Sequence, residues 1–216
     1  FQSERYKMLV IGSGYGAADP GEVNQVNQLN TIVKKYDEKG LLAGEGPLTK
    51  DLINIANDDF KRVSIMSIGI VLLIILFLFQ SISLPFILVG VIEFAIFVNM
   101  SISFLMGSTL PFIASIVIGT IQLGSTIDYA ILMTSSYREH RVLGLDRMES
   151  AKKAVASSGK SIMVSALSFF AATFGVGLYS DMEIISALCT LLSRGAIISM
   201  LVVILILPSM LVLFDK

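Results

Sequence analysis

Polar and apolar positions divide the chain sharply. Residues 1–62 alternate in the manner of ordinary polar protein, whereas from Val63 onward long apolar runs dominate. A helix that crosses the hydrocarbon core needs about 20 mainly apolar residues. Five runs reach that length: 63–79, 84–106, 111–136, 161–179 and 195–214. The first contains no charge, and Gln80-Ser81-Ile82-Ser83 separates it from the second. Pro111 is placed to open the third, since proline suits the first turn of a helix. A less hydrophobic helical stretch, 181–192, precedes the fifth. The pattern predicts an all-α membrane protein, a bundle of five transmembrane helices over 61–216. Buried helices of a large soluble protein are the competing reading, but 216 residues offer too little polar surface to cover them.

The polar start of the chain reads as strand, helix, strand, helix. Residues 6–11 form a short apolar run suited to a buried strand. Over 21–39, Val23, Val26, Leu29, Ile32 and Val33 fall along one helical side, and Gly40 is a stop. Residues 41–44 suit a second strand, Thr49 an N-cap, and the helix from Lys50 is expected to continue into the first span. Residues 1–60 are therefore expected to be a small α/β segment outside the membrane. Val10-Ile11-Gly12-Ser13-Gly14-Tyr15-Gly16 imitates a dinucleotide-binding glycine loop. That motif needs a helix directly after the glycines and a longer strand-helix-strand unit, and Asp19-Pro20-Gly21 interrupts it.

Composition supports the membrane reading: 54% of residues are hydrophobic, 15% are charged, and mean hydropathy is +0.79. Soluble domains carry about 25% charged residues. A net charge of -1 gives no reason to propose nucleic acid as a partner. Cys189 is the sole cysteine, so no internal disulfide forms, and no metal or cofactor site is legible. No apolar h-region opens the chain and it does not begin with methionine, so a piece of a longer polypeptide is expected. Basic residues set the direction of the spans. Loop 137–160 holds Arg138, Arg141, Arg147, Lys152, Lys153 and Lys160, whereas loop 107–110 and the turn at Ser180 hold none. The positive-inside rule places 137–160 in the cytoplasm, the N-terminal segment outside and the C-terminus inside. Lys61 and Arg62 oppose this weakly. Within the loop, Met148, Ala151, Ala154 and Val155 predict an amphipathic helix over 147–157, with Lys152 and Lys153 towards lipid headgroups.

Ionisable groups inside spans are costly and therefore informative. Two carboxylates qualify, Glu93 in the second span and Asp128 in the third. The third span is polar around its circumference. Ser115, Gly119, Gln122, Thr126 and Tyr129 line one side, with Gly124, Ser125 and Asp128 on the other. Such a helix is expected to sit centrally, against protein or a wet cavity. No lysine or arginine is expected at that depth. Asp128 is a candidate to take up and release a proton near neutrality, with Tyr129 as its relay partner. A structural hydrogen bond across helices is the ordinary alternative. Glu93, Gln122, Ser125 and Thr126 are candidate polar support.

Ile127-Asp128-Tyr129-Ala130, Ser136-Tyr137-Arg138-Glu139 and the stretch 154–159 resemble the resistance-nodulation-division superfamily, and within it the MMPL-type exporters of bacteria. Phe79-Gln80-Ser81, residues 175–178, Ser193-Arg194-Gly195 and Leu207-Pro208 fit in order. Ala43-Gly44-Glu45 and Leu48-Thr49-Lys50-Asp51-Leu52 resemble the end of the family's extracytoplasmic porter domain. Where the family often has arginine before the serine, this chain has Gln80. The resemblance implies the end of one porter domain followed by helices two to six of one half. The first helix, most of the porter domain and the other half are then missing, and the isolated stretch is expected to be transport-incompetent. It also implies a proton relay at Asp128 and Tyr129 and proton-motive-force-driven export of lipids or hydrophobic compounds. The implied partners are membrane lipids, the missing half and a lipid or hydrophobic substrate, in a bacterial cell membrane; self-association stays open.

Two other classes compete: a sensor or scaffold like the sterol-sensing domains, and an accessory component of a secretion complex. No phosphate-binding loop is present in the sequence to support an ATP-driven pump. No enzyme is expected, and His140, beside Arg141 in the charged loop, reads as solvated or headgroup-facing.

Overall fold

The computed structural model describes residues 7–16, 19–107 and 112–215, apart from the side chains at 57, 112, 113, 115 and 183. Tyr6, the expected helix opener Pro111, the Ser115 side chain and Lys216 lie outside the described residues. The chain divides into two units, Phe1–Asp58 and Asp59–Lys216.

In the first unit, α1 (Pro20–Tyr36) begins where Asp19 caps it, its Oδ1 accepting from Gly21 N at 2.7 Å. Pro20 occupies the first turn, where its missing N–H costs nothing, and Lys34 and Lys35 sit at the negative end of the helix dipole. The two expected strands are absent among the described residues, so the α/β character of this segment is corrected. Lys7 is in an isolated bridge, while Leu9, Val10 and Leu41 are 86%, 81% and 87% exposed. An apolar run becomes a strand only when a partner satisfies its backbone groups, and no ladder forms among the described residues. The following helix also starts earlier than expected. α2 (Glu45–Phe79) opens at Glu45 rather than Lys50, with Gly44 at φ 135° turning the chain and Pro47 in the first turn. Thr49 therefore lies inside the helix.

The second unit is the helical bundle. α3 (Ser83–Leu105), α4 (Phe112–Val142), α5 (Arg147–Tyr179), α6 (Glu183–Leu205) and α7 (Leu207–Phe214) follow α2 in order. Among the described residues, five helical stretches are long and apolar enough to cross a membrane: Glu45–Phe79, Ser83–Leu105, Ile116–Val142, Arg147–Tyr179 and Ile184–Phe214. Boundaries shift where tertiary packing extends a helix past its apolar run. α4 reaches Val142, and Gly144, at φ 83°, closes the short turn before α5. The expected amphipathic helix and the fourth span are one helix, capped by Asp146, whose side chain accepts from Met148 N. Ala151 and Ala154 pack inward while Lys152 and Lys153 stay exposed. The stretch 181–192 is not separate either, since α6 begins at Glu183 and runs through it. The last span breaks at Ile206 because Pro208, in the first turn of α7, cannot donate to the preceding turn.

α4 and α6 each touch α3, α5 and α7 as well as the other. Ile75, Leu88, Ile92, Ala95, Ala130, Met133, Ala166 and Val203 are sealed in the main core, which α2 enters through Val71, Ile75 and Phe79. Small side chains at Ala130, Ala154 and Ala166 let helices approach closely, the usual basis of packing in lipid. Large apolar side chains such as Phe77, Phe86 and Phe97 point outward.

Candidate functional site

A polar seam joins α3, α4 and α6 inside the bundle. Asn99 on α3 donates through Nδ2 to Gln122 Oε1 on α4 at 2.9 Å and to the Leu191 carbonyl on α6 at 3.2 Å. Gln122 Nε2 donates to Ser199 Oγ on α6 at 3.1 Å. Thr126 Oγ1 lies 2.6 Å from the Gln122 carbonyl and 2.8 Å from Ser199 Oγ. All four side chains are buried, so each lost hydrogen bond would leave a polar atom without water to replace it.

Arg194 terminates this seam, bonded to Asn99 and Ser103 in the last two turns of α3. It lies about 16 Å from the N-terminal end of α6. Its Nε donates to Asn99 Oδ1 at 2.8 Å, and its Nη2 donates to the Asn99 carbonyl at 2.8 Å and to Ser103 Oγ at 2.5 Å. The planar fork of arginine matches three acceptors on one face of α3, which is how the cation is tolerated inside an apolar helix. Arg194→Met is expected to destabilise the protein by about 1–3 kcal/mol, because three hydrogen bonds between α6 and α3 are lost where the Asn99 side chain is fully buried. Arg194→Lys, a point charge without the fork, should fall between Met and wild type. Thermal unfolding of the purified protein in detergent checks both, and equal stability of all three would remove the seam's structural role.

The residues singled out from sequence are distributed unevenly around this seam. Gln122 and Thr126 belong to it. Ser125 is half-buried and, among the described residues, bonds only back to the Gln122 carbonyl, at 3.2 Å. Glu93 is half-buried at the edge of α3, without a hydrogen bond or ion pair among the described residues. Tyr129 is 7% exposed and packs in the main core. Asp128, near the middle of α4, is exposed on the face that also carries Ile121, Gly124, Leu132 and Ser135. No hydrogen bond joins Asp128 to Tyr129, since successive helical residues point about 100° apart. α4 is central, as expected, on the Gln122–Thr126 side. On the Asp128 side this chain leaves it uncovered.

A second polar cluster closes the end of the bundle where α4 and α7 finish. Asp215 Oδ2 accepts from Tyr137 Oη at 2.8 Å and from Arg141 Nε at 2.5 Å. Arg138 Nη1 donates to the Phe79 carbonyl at 2.8 Å. His140 is half-buried, and its Nδ1 is sheltered with no hydrogen-bond partner among the described residues. Partial burial alone raises the Asp215 carboxyl, but the hydrogen bonds from Tyr137 and Arg141 and the charges of Arg141 and Arg147 hold it below the usual carboxylate range. A carboxyl depressed in the folded state stabilises above its unfolded value of about 3.9, and that contribution is lost as pH falls through the folded value. Acidification from about pH 5 is therefore expected to cost wild type more stability than Asp215→Asn. Melting curves of both proteins across that range check it, and parallel pH profiles would count against the cluster.

Residues 5–216 match the MMPL family. The chain belongs to it. The resemblance read from the Asp128 and Arg138 segments is thereby met, as is the placement in a superfamily of exporters. Together with the five long apolar helices, membership makes this MMPL chain a multi-pass membrane protein. The trehalose monomycolate exporter MmpL3 of Mycolicibacterium smegmatis is 31% identical over 131 residues, 58% of this chain and 13% of that protein. The mycolic acid-containing lipids exporter MmpL11 of the same organism is 24% identical over 217 aligned residues, 97% of this chain and 21% of that protein. YdgH of Bacillus subtilis is 25% identical over 133 residues, 60% of this chain and 15% of that protein, and its name carries no substrate. The chain thus spans about a fifth or less of the length of these relatives.

Sequence reading of this MMPL chain missed Asn99, Ser103, Arg194 and Ser199. A lone amide inside the apolar run 84–106 was the available signal for Asn99. Ser193-Arg194-Gly195 marks only the opening of the fifth span in the sequence, because a hydropathy window stops at a charge.

Proposed function

We propose that this chain is part of a proton-motive-force-driven membrane exporter of lipids or hydrophobic compounds, with Asp128 as its proton carrier. The observation that carries the reading is the Asp128 carboxylate, near the middle of an apolar-length helix, on a face this chain leaves uncovered. Lipid cannot solvate that group, so further protein or a water-filled cavity must cover it. The missing half of the exporter is the natural cover. Tyr129 points into the core, so the hydrogen-bond partner of Asp128 comes from that other half, and Tyr129 holds α4 in place or serves the reciprocal contact. Family membership and the lipid-exporter names of MmpL3 and MmpL11 support the substrate class. The basic residues from Arg138 to Lys160 support a cytoplasmic placement of that end, with the N-terminal segment outside and the C-terminus inside a bacterial cell membrane. The chain acts as a transporter component, without a catalytic step.

The test is proton-driven efflux by the intact protein in inverted vesicles, wild type against Asp128→Asn. Loss of efflux with insertion retained supports the reading, and undiminished efflux removes Asp128 from the coupling.

A further inference from the structure

Two hollows adjoin at the end of the bundle where α2 gives way to α3. One, of about 760 Å³, is an apolar crevice between α3 and α7, with Phe86, Gly90, Phe94 and Met210 on its walls. The other, of about 500 Å³, lies at the helix ends and is lined in part by Ser81, Tyr137, Arg138 and Asp215. Ser83, Ile87 and Phe214 line both. The crevice lies within the range of ligand pockets, about 300–1,000 Å³. Its α3 wall, from Ser83 to Phe94, is about 16 Å long at the helical rise per residue.

The polar hollow has an unbalanced charge. Asp215 is taken up by Tyr137 and Arg141. Arg138 has no carboxylate partner among the described residues. It donates to the Phe79 carbonyl and rests on the Phe79 ring, 5.6 Å from its centroid. The Ser81 and Ser83 hydroxyls have no hydrogen bond to the described residues and border the same space. An exposed cation with two free hydroxyls therefore stands at the mouth of an apolar channel.

We propose that these two hollows form a binding site for a phospholipid with a net negative headgroup. Its phosphate lies beside Arg138, Ser81 and Ser83, and one acyl chain lies along the α3–α7 crevice. An apolar helix would fill the crevice and leave Arg138 unanswered, and a soluble anion would occupy the polar hollow alone. Only an amphiphile uses both. The position of Arg138 at the basic end of the bundle fits the attraction of anionic lipid for arginine at a membrane surface. The site is independent of the export reading, because a lipid seated there need not be the transported molecule.

The experiment is native mass spectrometry of the intact protein in mild detergent, titrated separately with phosphatidylglycerol and phosphatidylcholine. Wild type is expected to retain phosphatidylglycerol preferentially. Arg138→Gln should lower phosphatidylglycerol retention about fivefold and phosphatidylcholine retention less, so that the preference narrows. Gly90→Phe should lose both lipids. Gly90 lines the crevice, and a Cβ there meets nothing within 4 Å, so the added side chain starts from open space. Wild type that retains neither lipid, or both equally, overturns the proposal. So does Gly90→Phe that melts early with lipid retention unchanged, since another segment of the polypeptide then fills the crevice. Displacement of the signal by inorganic phosphate alone would assign the site to a soluble anion instead.

Discussion

Asp128→Asn is expected to reduce proton-driven efflux by the intact exporter to the level of vesicles lacking the protein. The amide keeps the shape of the carboxylate and much of its hydrogen-bonding capacity, but it carries no titratable proton. Within this chain the substitution breaks nothing, because Asp128 is exposed and makes no hydrogen bond or ion pair among the described residues. Its effect on the stability of the bundle should stay within about 0.5 kcal/mol. A folded, inserted and substrate-binding protein that no longer transports would isolate coupling as the lost property. A sensor or scaffold gives a different pair of results: no efflux by wild type, and ligand binding that Asp128→Asn leaves intact. Should efflux survive the substitution, coupling would have to rest on Glu93 or on carboxylates outside this chain.

Gly195→Ala is expected to destabilise the bundle by about 2–4 kcal/mol, although alanine is the better helix former. A Cβ at Gly195 would stand 2.8 Å from Asn99 Nδ2, 2.8 Å from Gln122 Oε1 and 3.0 Å from Gln122 Cδ. Those atoms form the 2.9 Å bond that joins α3 to α4, and both side chains are fully or almost fully buried. Neither can swing away without leaving an amide unsatisfied where no water replaces the partner. Gly90→Ala supplies the control. Its Cβ meets nothing within 4 Å, so the substitution should be neutral or stabilising by up to about 1 kcal/mol. Unfolding of both variants in detergent gives the comparison. Equal behaviour would mean that the seam yields at no cost and does not hold the helices together.

Several features were legible from the amino-acid pattern alone. Long apolar runs have few other uses, so hydropathy located the spans, and it marked Glu93 and Asp128 as carboxylates within them. The clustering of Arg138, Arg141, Arg147, Lys152, Lys153 and Lys160 marked one end of the bundle. These properties are local, and a window along the chain records them directly.

Pairing was not legible. The strands expected over 6–11 and 41–44 required a partner ladder, which no local pattern guarantees. Arg194 lay beyond reach because its tolerance inside α6 depends on acceptors at Asn99 and Ser103, far away in the chain on α3. Nor could the sequence say which polar side of α4 faces inward, because both sides carry polar residues and helical periodicity is symmetric between them. Packing against α3 and α6 decided it, burying Gln122 and Thr126 and leaving Asp128 on the open side. The membrane location and the position of its carboxylates therefore belong to the sequence, since the cost of leaving water is a property of each residue. The seam and the exposure of Asp128 belong to the tertiary structure, since a hydrogen bond is a property of two.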